Sequence, residues 1–194
     1  MAVPADLLAF LREAERRIER FQIDHHIPGF VASDFVRVYS ALRALADSNL
    51  AAGGLFCEWG SGFGVVSCLA AMLDFEAWGV EIEGELVDAA RRLAEDFEIP
   101  ATFVRGSFIP PGSKISLGDG DGFNWLSTEG EDLQHEMDLG PEDFNVIFAY
   151  PWPDEEDVIE RLFEQIAGDG AILVTYHSDE RLRFRRKVPR RSRR

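Results

Sequence analysis

The chain has 194 residues, of which 46% are hydrophobic and 28% charged, values typical of one globular domain and not of a disordered or fibrous chain. Its longest nearly uninterrupted apolar stretch, Val65 to Leu73, is far shorter than the roughly 20 residues that a membrane span needs. The first residues lack a signal-peptide pattern, and two cysteines, Cys57 and Cys68, are too few for a disulfide framework. We therefore expect a single domain over residues 1–194 that is cytoplasmic and does not contact a membrane.

The net charge of −15 is unevenly distributed along the chain. Nine of the 20 Lys and Arg residues lie in the basic tail, residues 181–194, and all 35 acidic residues precede it, so the tail carries +9 and the rest −24. An acidic body repels a phosphate backbone, which makes nucleic acid an unexpected partner and favours cationic ones. For the tail we favour a solubilising end whose alternating part, residues 181–185, forms an edge strand against the acidic body. The other interpretation is an arm that binds RNA or an acidic partner.

Two amphipathic helices are expected within residues 1–50, where they form a helical cap. Apolar residues recur at helical spacing after Pro4, which suits a first helical position. A second such run follows Ser33 and Asp34, either of which can cap a helix.

From residue 55 onward, short apolar runs alternate with helical patterns. The runs predict five strands, at residues 55–59, 77–82, 101–105, 146–150 and 171–176. The segments between them predict helices, the last of which we expect Asp154 to cap. Near-continuous apolar strands that alternate with helices indicate a parallel sheet covered on both faces. The fold class is therefore α/β, a Rossmann-like doubly wound and mostly parallel sheet with two N-terminal helices.

Residues 109–142 interrupt this alternation and predict a long loop or lid, because they are rich in Gly, Pro and acid. Two aspartates in this segment suggest a calcium loop, but Phe123 and Gly130 stand where that loop needs ligands. The pair His25 and His26 lacks a spaced third ligand, although it could line the mouth of a crevice. We therefore expect no metal site.

The segment with the clearest functional signal is Glu-Trp-Gly-Ser-Gly-Phe-Gly at residues 58–64, which ends the first strand and opens a helix. Its glycines let the backbone turn sharply and let a ligand approach closely, and Glu81 ends the next strand, where an acid can accept hydrogen bonds from a ribose. Val65 stands where a dinucleotide fingerprint needs its third glycine. Glu58 would repel a pyrophosphate about 5 Å away by roughly 3 kcal/mol. The same carboxylate attracts an ammonium and a sulfonium, so we expect S-adenosylmethionine and not NAD.

At these residues the sequence resembles the class I S-adenosylmethionine-dependent methyltransferases. Their first motif, an acid, an apolar residue and Gly-x-Gly-x-Gly, is matched at residues 58–64, and their second, Gly-Val-acid-Ile, at residues 79–82. The resemblance extends from about residue 55 to residue 176. It implies that the glycine turn holds the methionine part, Glu81 the ribose and Ile82 the adenine. The cofactor-binding residues it implies are Glu58, Trp59, Gly60, Ser61, Gly62, Gly64, Glu81, Ile82, Gly106, Ser107, Phe108 and Tyr150.

Three features depart from the pattern of that family. Ser107 stands where an acid often bonds the adenine amine, and Asn145 stands where the fourth strand often begins with Asp. The sheet of that family usually ends in an antiparallel pair of strands, but few residues follow Tyr176 here. We therefore expect the C-terminal part of the sheet to be shortened. These departures also motivate a second hypothesis, a non-catalytic cofactor-binding module with the same fold.

The fourth strand is followed by Tyr-Pro-Trp-Pro-Asp, which is loosely similar to the Asp/Asn-Pro-Pro-Tyr/Phe motif of methyltransferases that act on amino nitrogens of bases. It predicts either an aromatic wall around a cationic or amine substrate or a rigid turn with buried rings. We name Tyr150, Trp152 and Asp154 as candidate catalytic residues. A general base would come from Asp154, Glu155 or His177, although a histidine just past a strand is more often at the surface.

The leading hypothesis is an S-adenosylmethionine-dependent methyltransferase. Its acidic body favours a basic protein, methylated on a lysine, or a small amine as acceptor. The alternatives are the non-catalytic module, an RNA methyltransferase that uses the basic tail, and an NAD-dependent oxidoreductase, against which Val65 and Glu58 count.

Overall fold

The computed structural model describes residues 4–24, 31–110 and 138–189. These ranges contain five helices, α1 (Ala5–Asp24), α2 (Phe35–Asp47), α3 (Val65–Ala71), α4 (Gly84–Asp96) and α5 (Glu156–Ile166). They also contain six strands, β1 (Leu55–Trp59), β2 (Glu76–Glu81), β3 (Ala101–Arg105), β4 (Val146–Ala149), β5 (Ile172–Tyr176) and β6 (Leu182–Arg186). His25, His26, residues 111–137 of the expected long loop and residues 190–194 of the tail lie outside the described residues.

The six strands form one sheet in the order β3-β2-β1-β4-β5-β6. The first five strands of that order pair in parallel, and β6 pairs antiparallel with β5. Helices cover both faces, because one buried cluster joins the sheet to α1–α4 and a second joins it to α5. This confirms the predicted fold class, a Rossmann-like doubly wound and mostly parallel sheet with two N-terminal helices. The single-domain organisation of residues 1–194 stays a prediction.

The strands and helices form where the apolar pattern predicts them, within one or two residues. β4 is buried at all four positions, as expected of a central strand with helices on both faces. The cap of α2 is Asp34, whose carboxylate accepts a hydrogen bond from the N–H of Arg37 at 3.0 Å. The cap of α5 is Glu155 and not Asp154, so that expectation was wrong. The reason is a turn in which the N–H of Glu155 donates to Trp152 O at 2.9 Å, which delays the start of the helix.

Asn145, one of the departures from the family pattern, lies at the amino end of β4. Its side-chain Oδ1 accepts from the N–H of Leu55 at 3.1 Å, and its own N–H donates to Leu55 O at 2.9 Å. These bonds join β1 to β4 at the edge of the sheet opposite the carboxyl ends of the parallel strands. Asn145 therefore takes part in the pairing of β1 with β4.

The basic segment after β5 forms the edge strand that we favoured over an extended arm. Within β6, Arg183 and Arg185 point toward α5, where Arg183 pairs with Glu156 at 3.4 Å and Arg185 pairs with Glu160 and Glu164. The C-terminal part of the sheet is shortened as expected, with one antiparallel strand in the described residues.

No helix in the described ranges is both long enough and apolar enough to cross a membrane. The cytoplasmic location expected from the sequence is a separate question and stays a prediction.

Candidate functional site

A cavity of about 480 Å³ opens at the carboxyl ends of the parallel strands. The strand order reverses between β1 and β4, and in open α/β sheets this switch point leaves a crevice that binds ligands. The cavity is lined by the glycine turn after β1, the ends of β2 and β3, the corner between β4 and α5, and parts of the N-terminal helices. Residues 58–64 and Glu81 therefore meet at one place in the fold.

The glycine turn bends over the end of β2. Gly60, Gly62 and Gly64 all have positive φ, at +72°, +52° and +70°, a conformation that side chains disfavour. The N–H groups of Gly60 and Ser61 both donate to Val80 O at 2.9 Å. A Cβ placed on Gly60 would meet no heavy atom within 4 Å, and Gly60 lines the cavity. The turn thus leaves open space at Gly60, which a side chain would partly fill.

The space beside Gly64 is filled by neighbouring side chains, unlike the space beside Gly60. A Cβ there would lie 2.3 Å from a ring carbon of Phe103 and 2.8 Å from Cβ of Ala90. Gly64 is absent from the cavity lining, so its glycine is required for close packing of the turn on β3 and α4.

Glu81 is buried, with 8% of its surface exposed, and it braces the turn. Its Oε2 accepts from the N–H of Gly62 at 2.8 Å, and its Oε1 accepts from the N–H of Glu83 at 3.0 Å. Burial raises the pKa of Glu81, and these backbone hydrogen bonds oppose that change. Each carboxylate oxygen has a second lone pair, so Glu81 can accept further hydrogen bonds from a ligand in the cavity.

Glu58 lies deeper, 5% exposed, at the base of the cavity. Its Oε2 accepts from the N–H of Ser67 at 2.8 Å and from the Ser67 hydroxyl at 2.6 Å, which ties β1 to the first turn of α3. Burial raises the pKa of Glu58 from 4.5 to about 8, Ser67 opposes the change, and the charge of Glu81 adds to it. A cation in the cavity would stabilise the ionised form of this carboxyl group.

Ser61 adds an unsatisfied polar group to the turn. Its Oγ is buried and has no hydrogen-bond partner among the described residues, and Ser61 lines the cavity. Buried hydroxyl groups normally have a partner, so this one fits a site that a polar ligand completes.

The ends of β2 and β3 form the opposite wall. Ile82, Gly106, Ser107 and Phe108 all line the cavity there. The ring of Phe108 stacks on Trp59, with the planes 3° apart and the centroids 5.3 Å apart. The stacked rings of Trp59 and Phe108, with Ile82, give this wall its apolar surface.

Ser107 has a local role in this wall. Its Oγ accepts from the N–H of Ile109 at 3.1 Å, so the serine holds the chain that follows β3.

The corner between β4 and α5 forms the far end of the cavity. Tyr150, Pro151, Trp152 and Glu155 line it, and the Tyr150 ring packs edge-on against Tyr176 at 4.9 Å between centroids. Burial raises the pKa of the Tyr150 phenol, with Tyr176 and Glu180 adding to the change. Asp154 is exposed and does not line the cavity, whereas its neighbour Glu155 is 7% exposed and does.

His177 is buried, so the expectation of a surface position was wrong. Its Nδ1 lies 2.6 Å from Oε1 of Glu156 and its Nε2 lies 2.8 Å from Oγ1 of Thr175. The side chain joins β5 to the start of α5 and is absent from the cavity lining, where Ser178 lies instead. In this arrangement the imidazole stabilises the corner and does not face a ligand.

Sequence reasoning missed the wall contributed by the N-terminal helices. Ile18 of α1, Phe35 of α2 and the preceding residues 31–33 line the cavity. The helical spacing indicated that Ile18 and Phe35 are on apolar faces, but no local pattern says that those faces border a cavity. Ser178 and Glu83 were also not foreseen as lining residues.

The titratable side chains that line the cavity are predominantly acidic. Four acidic side chains line the cavity, those of Glu58, Glu81, Glu83 and Glu155, and no Lys, Arg or His in the described ranges does. This lining favours a cationic ligand and disfavours phosphate. The described residues also contain no cluster of three or more His, Cys, Asp or Glu side chains suited to a metal ion.

No protein-family model matches the chain, and no curated protein matches it. Solved structures match its fold. One is an RNA methyltransferase from Salinibacter ruber in complex with S-adenosyl-L-homocysteine, with a TM-score of 0.51 and 18% identity over 75% of this chain and 76% of that one. Another is an O-methyltransferase from Bacillus cereus in complex with S-adenosylhomocysteine, with a TM-score of 0.55 and 13% identity over 90% of this chain and 67% of that one.

A putative O-methyltransferase from Klebsiella pneumoniae has a TM-score of 0.52 and 14% identity over 90% of this chain and 66% of that one. This chain therefore spans about two thirds of the length of the two O-methyltransferases. The likeness establishes the fold that the sequence resemblance implies, the Rossmann-like fold of class I S-adenosylmethionine-dependent methyltransferases.

Proposed function

We propose that this protein is an S-adenosylmethionine-dependent methyltransferase. The observation that carries the proposal is the cavity at the strand-order reversal, which combines an open glycine turn, a brace from Glu81 to that turn and a lining of carboxylates without basic side chains in the described ranges. Solved methyltransferases of the same fold, two of them in complex with S-adenosylhomocysteine, support it.

The residues present fit this cofactor. The open space at Gly60 would admit the methionine part, and Glu58 would face its ammonium and sulfonium charges. Glu81 would accept hydrogen bonds from the ribose hydroxyls, and Ile82 and Phe108 would pack on the adenine. Trp59, Ser61, Gly62, Gly106, Ser107 and Tyr150 complete the proposed site, while Gly64 would act by shaping the turn.

The cofactor supplies a methyl group on a positively charged sulfur, which an acceptor lone pair attacks in line as the sulfonium leaves as a neutral thioether. The protein has to align the acceptor and exclude water, and positioning alone can supply several kcal/mol. Tyr150, Pro151 and Trp152, which line the corner after β4, would align the acceptor, although Trp152 itself is exposed. Asp154 has no such position, so we retain Tyr150 and Trp152 as the aromatic residues proposed to contact the acceptor.

The acceptor class that we propose is an amine, either small or on a basic protein such as a lysine side chain. The carboxylate lining and the net charge of −15 support this class over a phosphate-bearing acceptor. The RNA alternative depends on the tail, part of which is the strand β6, whose Arg183 and Arg185 are already paired with glutamates of α5.

The test is calorimetric binding of S-adenosylmethionine, S-adenosylhomocysteine and NAD, followed by transfer of labelled methyl groups to amines, histone-like basic peptides and RNA. We expect both adenosyl ligands to bind, NAD not to bind, and label to appear on amines. Binding of NAD alone would make the proposal wrong. Binding of the adenosyl ligands without transfer to any acceptor in a cell extract would favour the non-catalytic module.

A further inference from the structure

The acceptor end of the cavity contains Glu155, which the sequence analysis named as one of three candidates for a general base. This end lies between the N-terminal helices and the corner after β4, where Phe35, Tyr150 and Trp152 contribute aromatic rings. Glu155 is the carboxylate that lines it. The other three carboxylates of the lining lie in or just after the carboxyl ends of β1 and β2, on the side where we propose that the cofactor binds.

The backbone holds Glu155 firmly at this corner. Its N–H donates to Trp152 O at 2.9 Å, and its C=O accepts from the N–H groups of Val158 and Ile159 at 3.0 Å each. Its Oε2 lies 3.4 Å from the N–H of Trp152. The carboxylate is thus held beside the tryptophan and inside the cavity.

The position of Glu155 at the start of α5 favours a negative charge on its side chain. Glu155 is the cap of α5, and the positive end of a helix dipole favours an anion at this position. Only 7% of the residue is exposed, so water screens its charge weakly toward the cavity. Asp154, which the sequence pattern favoured, is exposed and outside the lining.

We propose that Glu155 determines acceptor specificity by contacting the amine or ammonium group of the acceptor beside Tyr150 and Trp152. This inference rests on the proposed function. Aromatic rings attract a cation through their faces, and a buried carboxylate adds a charged hydrogen bond with a fixed direction. Together they select a nitrogen-bearing acceptor over a carboxylate or phosphate, which the same carboxylate would repel.

The test needs no identified acceptor. Sinefungin carries an ammonium group where S-adenosylmethionine carries the transferable methyl, so it places a cation at the entrance to the acceptor end. S-adenosylhomocysteine lacks that group and serves as the matched ligand. We would titrate both ligands by calorimetry into wild type, Glu155→Gln, Asp154→Asn and Asp157→Asn. The comparison separates loss of the Glu155 charge from loss of a neighbouring charge. Asp157 is an exposed carboxylate in the first turn of α5 and outside the cavity, so it controls for charge at the helix end.

We expect Glu155→Gln to weaken sinefungin binding by about tenfold or more, since the ammonium group loses a negatively charged partner and keeps only a neutral amide, and to leave S-adenosylhomocysteine binding within about twofold. Asp157→Asn should change neither affinity. The inference is overturned if Glu155→Gln alters both ligands equally or neither, or if Asp154→Asn produces the selective loss instead. Failure of wild type to bind S-adenosylhomocysteine at all would overturn the proposed function itself, which is a distinguishable result.

Discussion

Oε2 of Glu81 accepts a hydrogen bond from the N–H of Gly62 at 2.8 Å, which joins the end of β2 to the glycine turn after β1. The two motifs that carry the sequence resemblance are therefore in direct contact. One carboxylate both braces the turn and faces the cavity, so a change at Glu81 should affect ligand binding in two ways.

We expect Glu81→Ala to weaken S-adenosylhomocysteine binding roughly 100-fold. The loss corresponds to two charged hydrogen bonds to the ribose at about 1.5 kcal/mol each. Calorimetric titration measures it, with Glu76→Ala as the control because Glu76 is an exposed carboxylate on the same strand. An unchanged dissociation constant in Glu81→Ala would remove Glu81 from the site.

The buried carboxyl group of Glu58 should make ligand affinity depend on pH. Its pKa is about 8 in the free protein, so below pH 8 a cationic ligand must displace a proton from it. We expect S-adenosylmethionine affinity to rise by up to about tenfold per pH unit from pH 6 and to level off above pH 8. In Glu58→Gln this dependence should disappear. Equal pH profiles for wild type and variant would contradict the assignment.

The same group should lower the stability of the free protein at alkaline pH. Folding raises the pKa of Glu58 from 4.5 to about 8, so its favourable contribution is complete below pH 4.5 and is lost as pH rises through 8. At pH 8.5 we expect Glu58→Gln to have a free energy of unfolding higher than wild type by up to about 4 kcal/mol. At pH 4.5 the difference should be small. Urea denaturation at the two pH values measures it, and a difference that does not change with pH would argue against the raised pKa.

Gly60 and Gly64 have nearly equal φ values, +72° and +70°, but differ in surroundings, so they form a matched pair. Alanine at either position costs about 1–2 kcal/mol for the left-handed conformation. Gly64→Ala adds a clash with Phe103 and should lose about 3 kcal/mol or more in total. Gly60→Ala should lose little stability beyond this conformational cost. It should weaken S-adenosylhomocysteine binding by about tenfold, because the added methyl group enters the cavity. Thermal denaturation and calorimetry on both variants measure these effects, and the same pattern in both would refute the division of roles.

The end of the basic tail should be dispensable for folding and for ligand binding. A chain that ends at residue 189 keeps β6, whereas deletion from residue 181 would remove a strand of the sheet. We expect the shorter chain to keep the thermal midpoint and the S-adenosylhomocysteine affinity of the full chain, and neither form to retain RNA at physiological salt. Salt-sensitive RNA binding that is lost on truncation would instead support the RNA alternative.

The amino-acid sequence determined the fold class and the meeting of the glycine turn with Glu81 at one end of the sheet. Strand and helix periodicities report which face of each element is apolar, and runs that are apolar on both faces predict a central parallel sheet. In such a sheet, residues 58–64 and Glu81 must meet because both lie at the carboxyl ends of neighbouring strands. The alternation in residues 181–185 likewise predicted the edge strand β6.

Only the tertiary structure decided which residues of the N-terminal helices and of the corner after β4 line the cavity. Periodicity does not say which element covers an apolar face, so the wall formed by Ile18 and Phe35 had no local signature. Asp154 and Glu155 are adjacent carboxylates, and a turn that starts α5 one residue later buries only the second. His177 is buried, and its two ring nitrogens contact Glu156, which is 21 residues away in sequence, and Thr175, which is two residues away. Such convergence depends on the packing of α5 against β5, which one-dimensional patterns do not encode.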